Sequence, residues 1–285
     1  MSEKLLVAIG EILYDRFDHR EELGGAPTNF AGHVAALGGR AALISAVGGD
    51  DLGHAALKQL GRRGLELSGV TVNNLPTGTV DVVLRNGQPD YTINRPAAWD
   101  AITLNDTARK IVAEAALVCF GTLAQRDDRS RSAIREAVQL ARTGAYRLLD
   151  VNLRKPLIED SVIADSVSLA DAIKLNDEEV PHVARVLGLP SEVQDFAAGI
   201  RQSHGVRVTM VTCGAAGAHL FRDDEYAWVD AQPVERLVST VGAGDSFTAA
   251  AALGLLADAP LAEIGRAAVS LAAKTCGHAG GLPPA

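Results

Sequence analysis

Ser239-Thr240-Val241-Gly242-Ala243-Gly244-Asp245-Ser246-Phe247 carries a polar, glycine-kinked loop straight into an apolar run, and Gly244–Leu256 reads as a helix. Glycines at 242 and 244 let the backbone turn tightly and gather several N–H groups at one point. That point is a helix N-terminus, where unpaired amides and the helix dipole favour an anion. A developing phosphoryl charge is a natural occupant. The Asp245 carboxylate beside it could accept a hydroxyl proton. The same residues also read as an ordinary N-cap aspartate after a glycine turn. Spacing alone leaves both readings open.

Outward from this stretch the chain keeps one rhythm, a short apolar run and then a helical pattern. Leu5–Gly10, Ala41–Val47, Leu117–Gly121, Arg147–Val151, Ala172–Leu175 and Val206–Thr212 are short and apolar, as buried parallel strands are. Phe30, Val34 and Leu37 recur at helical spacing and stop at Gly38-Gly39. Ser130–Arg142, Ser191–Gln202 and Leu261–Thr275 also read as helices. Alternation of this kind predicts a doubly wound α/β domain, with ligands at the carboxyl ends of its strands. One region breaks the rhythm. Thr79–Arg85 and Asp90–Arg95 flank Asn86-Gly87-Gln88-Pro89, a hairpin signal that predicts a small accessory sheet. Lids over active sites are often built this way.

Two further segments carry candidate chemistry. In Gly24-Gly25-Ala26-Pro27-Thr28-Asn29-Phe30, Pro27 suits a first helical turn, and the Asn29 amide would be free to contact a polyol. In Lys174-Leu175-Asn176-Asp177-Glu178-Glu179, Asn176 and Glu179 are three apart and share one face of a first turn. That pair can hold a hydrated Mg2+ beside phosphates. Taken alone, the first reads as ordinary helix-start chemistry and the second as a strand end followed by an acidic first turn.

Bulk properties narrow the classes. The 285 residues suffice for one large α/β domain, 47% of them apolar and 22% charged. A formal charge of −8 disfavours nucleic-acid partners. The three cysteines, Cys119, Cys213 and Cys276, form no C-x-x-C pair and read as reduced thiols, which suits a cytoplasmic protein. Met1-Ser2-Glu3-Lys4 runs into a strand pattern rather than a signal peptide, and no apolar run is long enough for a membrane span. There is no G-x-x-x-x-G-K-[ST] loop, no third glycine for a dinucleotide fingerprint, no H-E-x-x-H and no G-x-S-x-G.

Six motifs together resemble the ribokinase-like (PfkB) family of carbohydrate kinases over nearly the whole chain. They are G-G-A-P-T-N-F-A (Gly24–Ala31), V-G-G-D-D-L-G (Val47–Gly53), D-V-N-L-R (Asp150–Arg154), K-L-N-D-E-E (Lys174–Glu179), V-T-C-G-A-A-G (Val211–Gly217) and S-T-V-G-A-G-D-S-F (Ser239–Phe247). The resemblance implies a three-layer, doubly wound, mostly parallel sheet in a single domain, 1–285, with a β-sheet lid from about 12–24 and 78–98 that often serves as a dimer contact. It implies ATP and Mg2+ as cofactors and a small-molecule sugar as substrate. By resemblance Asp245 is the catalytic base, and the backbone of Gly242, Ala243, Gly244 and Asp245 is the anion hole. Asp15, Gly25 and Asn29 bind the sugar, and Arg154 lies near phosphates or substrate. Asn176 and Glu179 organise Mg2+ and phosphates, the metal being held through water. Thr212, Gly214 and Gly217 form the nucleotide loop, while Ala273, Gly277 and His278 close the adenine pocket. Ser239 departs from the usual Asp of the last motif, which puts K+ activation in doubt.

Within the family, G-G-A-P with Asn29, the segment Ala98-Trp99-Asp100 and the run Gly121–Arg126 look most like fructokinases. Trp99 would stack on the sugar or pack under the lid. The implied reaction is phosphorylation of fructose to fructose 6-phosphate. Alternatives are a kinase for 2-keto-3-deoxygluconate, ribose or a nucleoside, a non-catalytic sugar-binding protein on the same fold, and an NAD-dependent dehydrogenase. An acidic sugar would need a cation such as Arg95 or Arg126 in its pocket.

Overall fold

Runs such as Leu5–Ile9 bury every side chain, Leu5, Val7 and Ile9 toward one face and Leu6 and Ala8 toward the other. A strand with two apolar faces has to lie inside a sheet covered on both sides. The computed structural model, which describes residues 4–17, 20–85, 88–154 and 156–283, is built around such strands. In chain order the elements are β1 (Leu5–Ile9), β2 (Leu13–Phe17), β3 (Arg20–Gly24), α1 (Ala26–Ala36), β4 (Arg40–Gly48), α2 (Asp51–Arg62), β5 (Val70–Asn73), β6 (Gly78–Arg85) and β7 (Gln88–Ile93). There follow α3 (Asp106–Glu114), β8 (Leu117–Gly121), α4 (Asp128–Leu140), β9 (Tyr146–Asp150), α5 (Asp160–Ser168), β10 (Ala172–Asn176), α6 (Val180–Leu187) and α7 (Val193–His204). The chain ends with β11 (Val208–Thr212), β12 (Gly217–Arg222), β13 (Glu225–Asp230), α8 (Ala243–Leu256) and α9 (Leu261–Thr275).

The main sheet has nine strands in the order β13-β12-β11-β10-β9-β8-β1-β4-β5. Pairing is parallel from β11 through β5, and β12 and β13 add an antiparallel edge. One face is packed by α3 to α7 and by Trp99, the other by α1, α2, α8 and α9. This is the expected doubly wound, three-layer, mostly parallel architecture. No helix among the described residues is long and apolar enough to cross a membrane.

A second sheet of four strands, in the order β3-β2-β6-β7, stands apart. It has its own small core of Leu13, Val80 and Val82, with Phe17 and Ile93 against it. Because β2 begins only a few residues after β1 ends, this sheet rises from the carboxyl edge of the main one. Asp50 ties it down. The Asp50 carboxylate caps α2 at Gly53 N and also accepts from Thr77 N (2.8 Å) and Thr77 Oγ1 (2.6 Å), just ahead of β6.

Some boundaries moved. The hairpin closes more tightly than expected: Arg85 pairs with Gln88, so Gln88 and Pro89 belong to β7 rather than to the loop. The expected Asn86-Gly87 turn lies outside the described residues. The edge strands β12 and β13 had no counterpart among the expected strands.

Candidate active site

Two glycine turns aim two helix starts at each other. Gly25 has φ 105, and a Cβ there would come within 2.5 Å of the Glu11 carbonyl oxygen, so only glycine fits. The turn starts α1 with Pro27 in its first turn and brings Asn29 inward. Gly242, with φ 79, opens α8 in the same way and brings Asp245 inward. The Asn29 amide donates to Asp245 Oδ2 at 2.7 Å across the gap. One of the two N–H groups of the amide is thus engaged by Asp245 rather than free for a polyol. Its Oδ1 is the free end, buried and without a partner.

Asp15 completes this corner from β2. A Cβ on Gly24 would sit 3.3 Å from Asp15 Oδ2 and 3.8 Å from Asn29 Oδ1, so the two oxygens flank one point. Glu11, which sequence reasoning did not single out, lies beside them. Its Oε1 accepts from Ala26 N at 3.1 Å, and its carbonyl accepts from Thr28 Oγ1 at 2.9 Å. The only signal for it was a carboxylate in Gly10-Glu11-Ile12, directly after a buried strand.

Three carboxyls lie in this corner, and burial is the first cause of a raised proton affinity in each. Burial pushes Glu11 up to about 7 despite backbone hydrogen bonds. Burial and the Glu22 charge raise Asp15 to about 6. Asp245, only 8% exposed, is pushed up to about 6 by burial and Asp150, against the pull of Asn29, Lys174 and Arg154. Arg154 is exposed, and its charge favours the ionised form of all three. Beneath Asp245 lies a buried ion pair, Lys174 Nζ to Asp150 Oδ1 at 3.1 Å.

The expected anion hole is narrower than the motif suggested. Ala243 N donates to Thr240 O at 3.3 Å. The Gly244 and Asp245 amides lie in the first turn of α8, where no intrahelical acceptor exists.

Asn176 and Glu179 do not share a first helical turn. Asn176 ends β10 and Glu179 is the N-cap of α6, with a tight turn between them. They lock each other reciprocally: Glu179 N donates to Asn176 Oδ1 (2.8 Å) and Asn176 N to Glu179 Oε2 (2.8 Å). Glu179 Oε1 also accepts from Leu153 N at 2.6 Å. Asn152, at φ 39, supplies the left-handed turn that presents that amide. Among the described residues no group of three or more His, Cys, Asp or Glu could hold a metal. A hard carboxylate oxygen with one amide fits Mg2+ carried largely by phosphates and water, rather than a protein cage.

Thr212 ends β11, and its carbonyl accepts from Asp177 N at 3.0 Å, which joins this loop to the one after β10. Gly214 (φ 52) and Gly217 (φ 138) shape the turn that follows. Ala273 sits in the last turns of α9, and the Cys276 carbonyl beyond it accepts from Val238 N and Ser239 N. Gly277 packs on Lys274 and Arg236. His278 instead lines a cavity of about 390 Å3 with Glu21, Glu22, Arg63 and Leu282, and no residue of 212–217 takes part in it.

Trp99 is fully buried in the main core. The Arg126 guanidinium covers its ring at 3.9 Å, and Gly78 at the start of β6 leaves room for its indole edge. Of its two expected positions it takes the one under the small sheet, so the substrate-contact assignment is corrected: the ring has no open face for a sugar.

The C-terminal segment is a part of the site that the sequence did not announce. Gly281 packs on both Gly242 and the Asn29 side chain with no room for a Cβ. Its carbonyl accepts from His33 Nε2 at 2.9 Å, and burial lowers the proton affinity of that imidazole. Arg63 Nη1 holds the Pro283 carbonyl at 2.6 Å.

A carboxylate at a helix N-terminus, on the carboxyl edge of a doubly wound sheet, is compatible with phosphoryl transfer. The pfkB family of carbohydrate kinases matches residues 5–285. The chain belongs to that family and is a sugar kinase, a phosphotransferase. It is similar to a fructokinase of Klebsiella pneumoniae, 31% identical over 267 residues that cover 89% of this chain and 84% of that protein. It is also similar to the uncharacterized sugar kinase PH1459 of Pyrococcus horikoshii, solved in complex with ATP, at 27% identity and a TM-score of 0.82 over 97% of this chain and 94% of that one. A Xylella fastidiosa fructokinase solved with bound ATP shares the fold, with a TM-score of 0.86 over 99% and 94% of the two chains at 21% identity.

Proposed function

We propose that this kinase transfers the γ-phosphoryl group of ATP to the terminal hydroxyl of a ketohexose, fructose, giving fructose 6-phosphate and ADP. The observation that carries the reading is the Asp245 carboxylate, buried at the start of α8 and held by Asn29 at 2.7 Å. Asp15 and the free Oδ1 of Asn29 accept from sugar hydroxyls. Asp245 takes the proton from the attacking hydroxyl as its oxygen bonds to phosphorus and the bond to the ADP oxygen breaks. The Gly244 and Asp245 amides stabilise the developing charge. Asn176 and Glu179 would hold Mg2+ through water, and that ion supplies charge neutralisation at the phosphates. The small sheet closes as a lid that excludes water from the transfer. Thr212, Gly214 and Gly217 border the nucleotide.

Fructose is favoured over an acidic sugar by the state of Arg126, one of the cations on which such a sugar could draw. Arg126 is buried and paired with Asp100 at 2.7 Å, so its charge is already balanced within the protein. The similarity to the Klebsiella fructokinase points the same way. ADP release measured over fructose, ribose, 2-keto-3-deoxygluconate and a nucleoside tests this reading. Fructose is expected to give the highest kcat/KM. A higher value for the acid or the nucleoside would overturn the substrate assignment, and no sugar-dependent ADP release would overturn the transfer.

A further inference from the structure

Lys174 is an anomaly in its own strand. Every neighbour in the run Ala172–Leu175 is a fully buried hydrophobe, and an ammonium there survives only if it is paired. Its partner is Asp150, directly opposite on β9. The Asp150 carboxylate is divided: Oδ1 takes Lys174 Nζ at 3.1 Å and Oδ2 takes Thr248 Oγ1 at 2.8 Å. Thr248 lies one turn after Gly244 in α8, and its hydroxyl is also 2.9 Å from the Gly244 carbonyl. Nζ itself lies 2.7 Å from the point a Cβ on Gly244 would occupy. Two adjacent strands thus grip the first turn of α8 from below, at the residue next to Asp245.

We propose that Lys174 and Asp150 are positioning residues for phosphoryl transfer: as a buried pair they fix the first turn of α8 and set, in opposite directions, the charge that Asp245 feels. This rests on Asp245 being the base. Asp245 is faced by Asp150 from β9, Lys174 from β10, Asn29 from α1, Glu11 after β1 and Arg154 after β9. Lys174 is faced by Asp150, Glu179 and Asp245. Cys119 on β8 meets the same charges, and burial holds its thiol protonated. Asp150 opposes ionisation of Asp245 and Lys174 favours it.

The test is the pH profile of kcat at saturating ATP and sugar for the wild type, Lys174→Gln, Asp150→Asn and Asp245→Asn. An ionised base is needed, so activity rises with pH through the Asp245 titration. Lys174→Gln removes a stabilising charge and is expected to move that limb up by about one pH unit. Asp150→Asn removes an opposing charge and is expected to move it down by a similar amount. Limbs that stay in place, or move the same way, would overturn the pairing, because a merely structural role gives no opposite shifts. If either single variant fails to fold, Lys174→Gln/Asp150→Asn removes both members of the ion pair together; its limb is expected at or below the wild-type position, and an upward move would overturn the proposal. Asp245→Asn separates the two ideas. Retained turnover there defeats the base assignment, whereas lost turnover with unmoved limbs in the other variants defeats only the pairing.

Discussion

Asn29 spends its two polar ends on different tasks. Its nitrogen donates to Asp245 and its oxygen stays open beside Asp15. Asn29→Asp would place a second carboxylate against the first, and two such groups cannot both ionise cheaply. The Asp245 proton would then be held to higher pH. Turnover should fall at least about ten-fold at pH 7 and recover in part by pH 9. An equal loss at both pH values would deny that Asn29 acts through the ionisation of Asp245. At this scale the sequence was legible where a glycine forces a turn: Gly25 and Gly242 announce Asn29 and Asp245. It was silent on Glu11, Asp150 and Lys174 as a charged cluster, because strand alternation tells which face a side chain takes but not which charges meet there. Trp99 left two positions open for a related reason, since an indole beneath a sheet and one against a sugar share the same local pattern.

At the scale of elements, the interior strands were readable because burial on both faces leaves an unbroken apolar run. The β12–β13 edge was not. Its inward residues, Ala218, Leu220 and Val229, alternate with exposed or half-buried ones, and the run carries no tight-turn signature. Helix α2 shows how one residue couples elements. Asp50 caps it and also fastens Thr77 ahead of β6, so one carboxylate ties a main-domain helix to the small sheet. Asp50→Ala removes the cap and leaves the Thr77 groups unpaired. It should cost about 1–3 kcal/mol in denaturant unfolding and raise the sugar KM by loosening the small sheet. Unchanged stability would mean that water replaces the carboxylate at no cost.

Over the whole molecule, the main sheet supplies the carboxyl edge, the small sheet rises over it, and the C-terminal Gly281 closes the gap between α1 and α8. Chain-distant residues meet there: Asp15 from β2, Asn29 from α1, Asp150 from β9 and Asp245 from α8. Motif order predicted this convergence, but the closing role of the C-terminal segment depends on packing that no local pattern carries. The arrangement works only if the acid at its centre moves the proton. The most direct measurement is the turnover of Asp245→Asn at pH 8, with sugar affinity determined alongside. The account expects kcat to fall on the order of 10²–10⁴-fold with the sugar KM near the wild-type value. A kcat within a few-fold of wild type would contradict it.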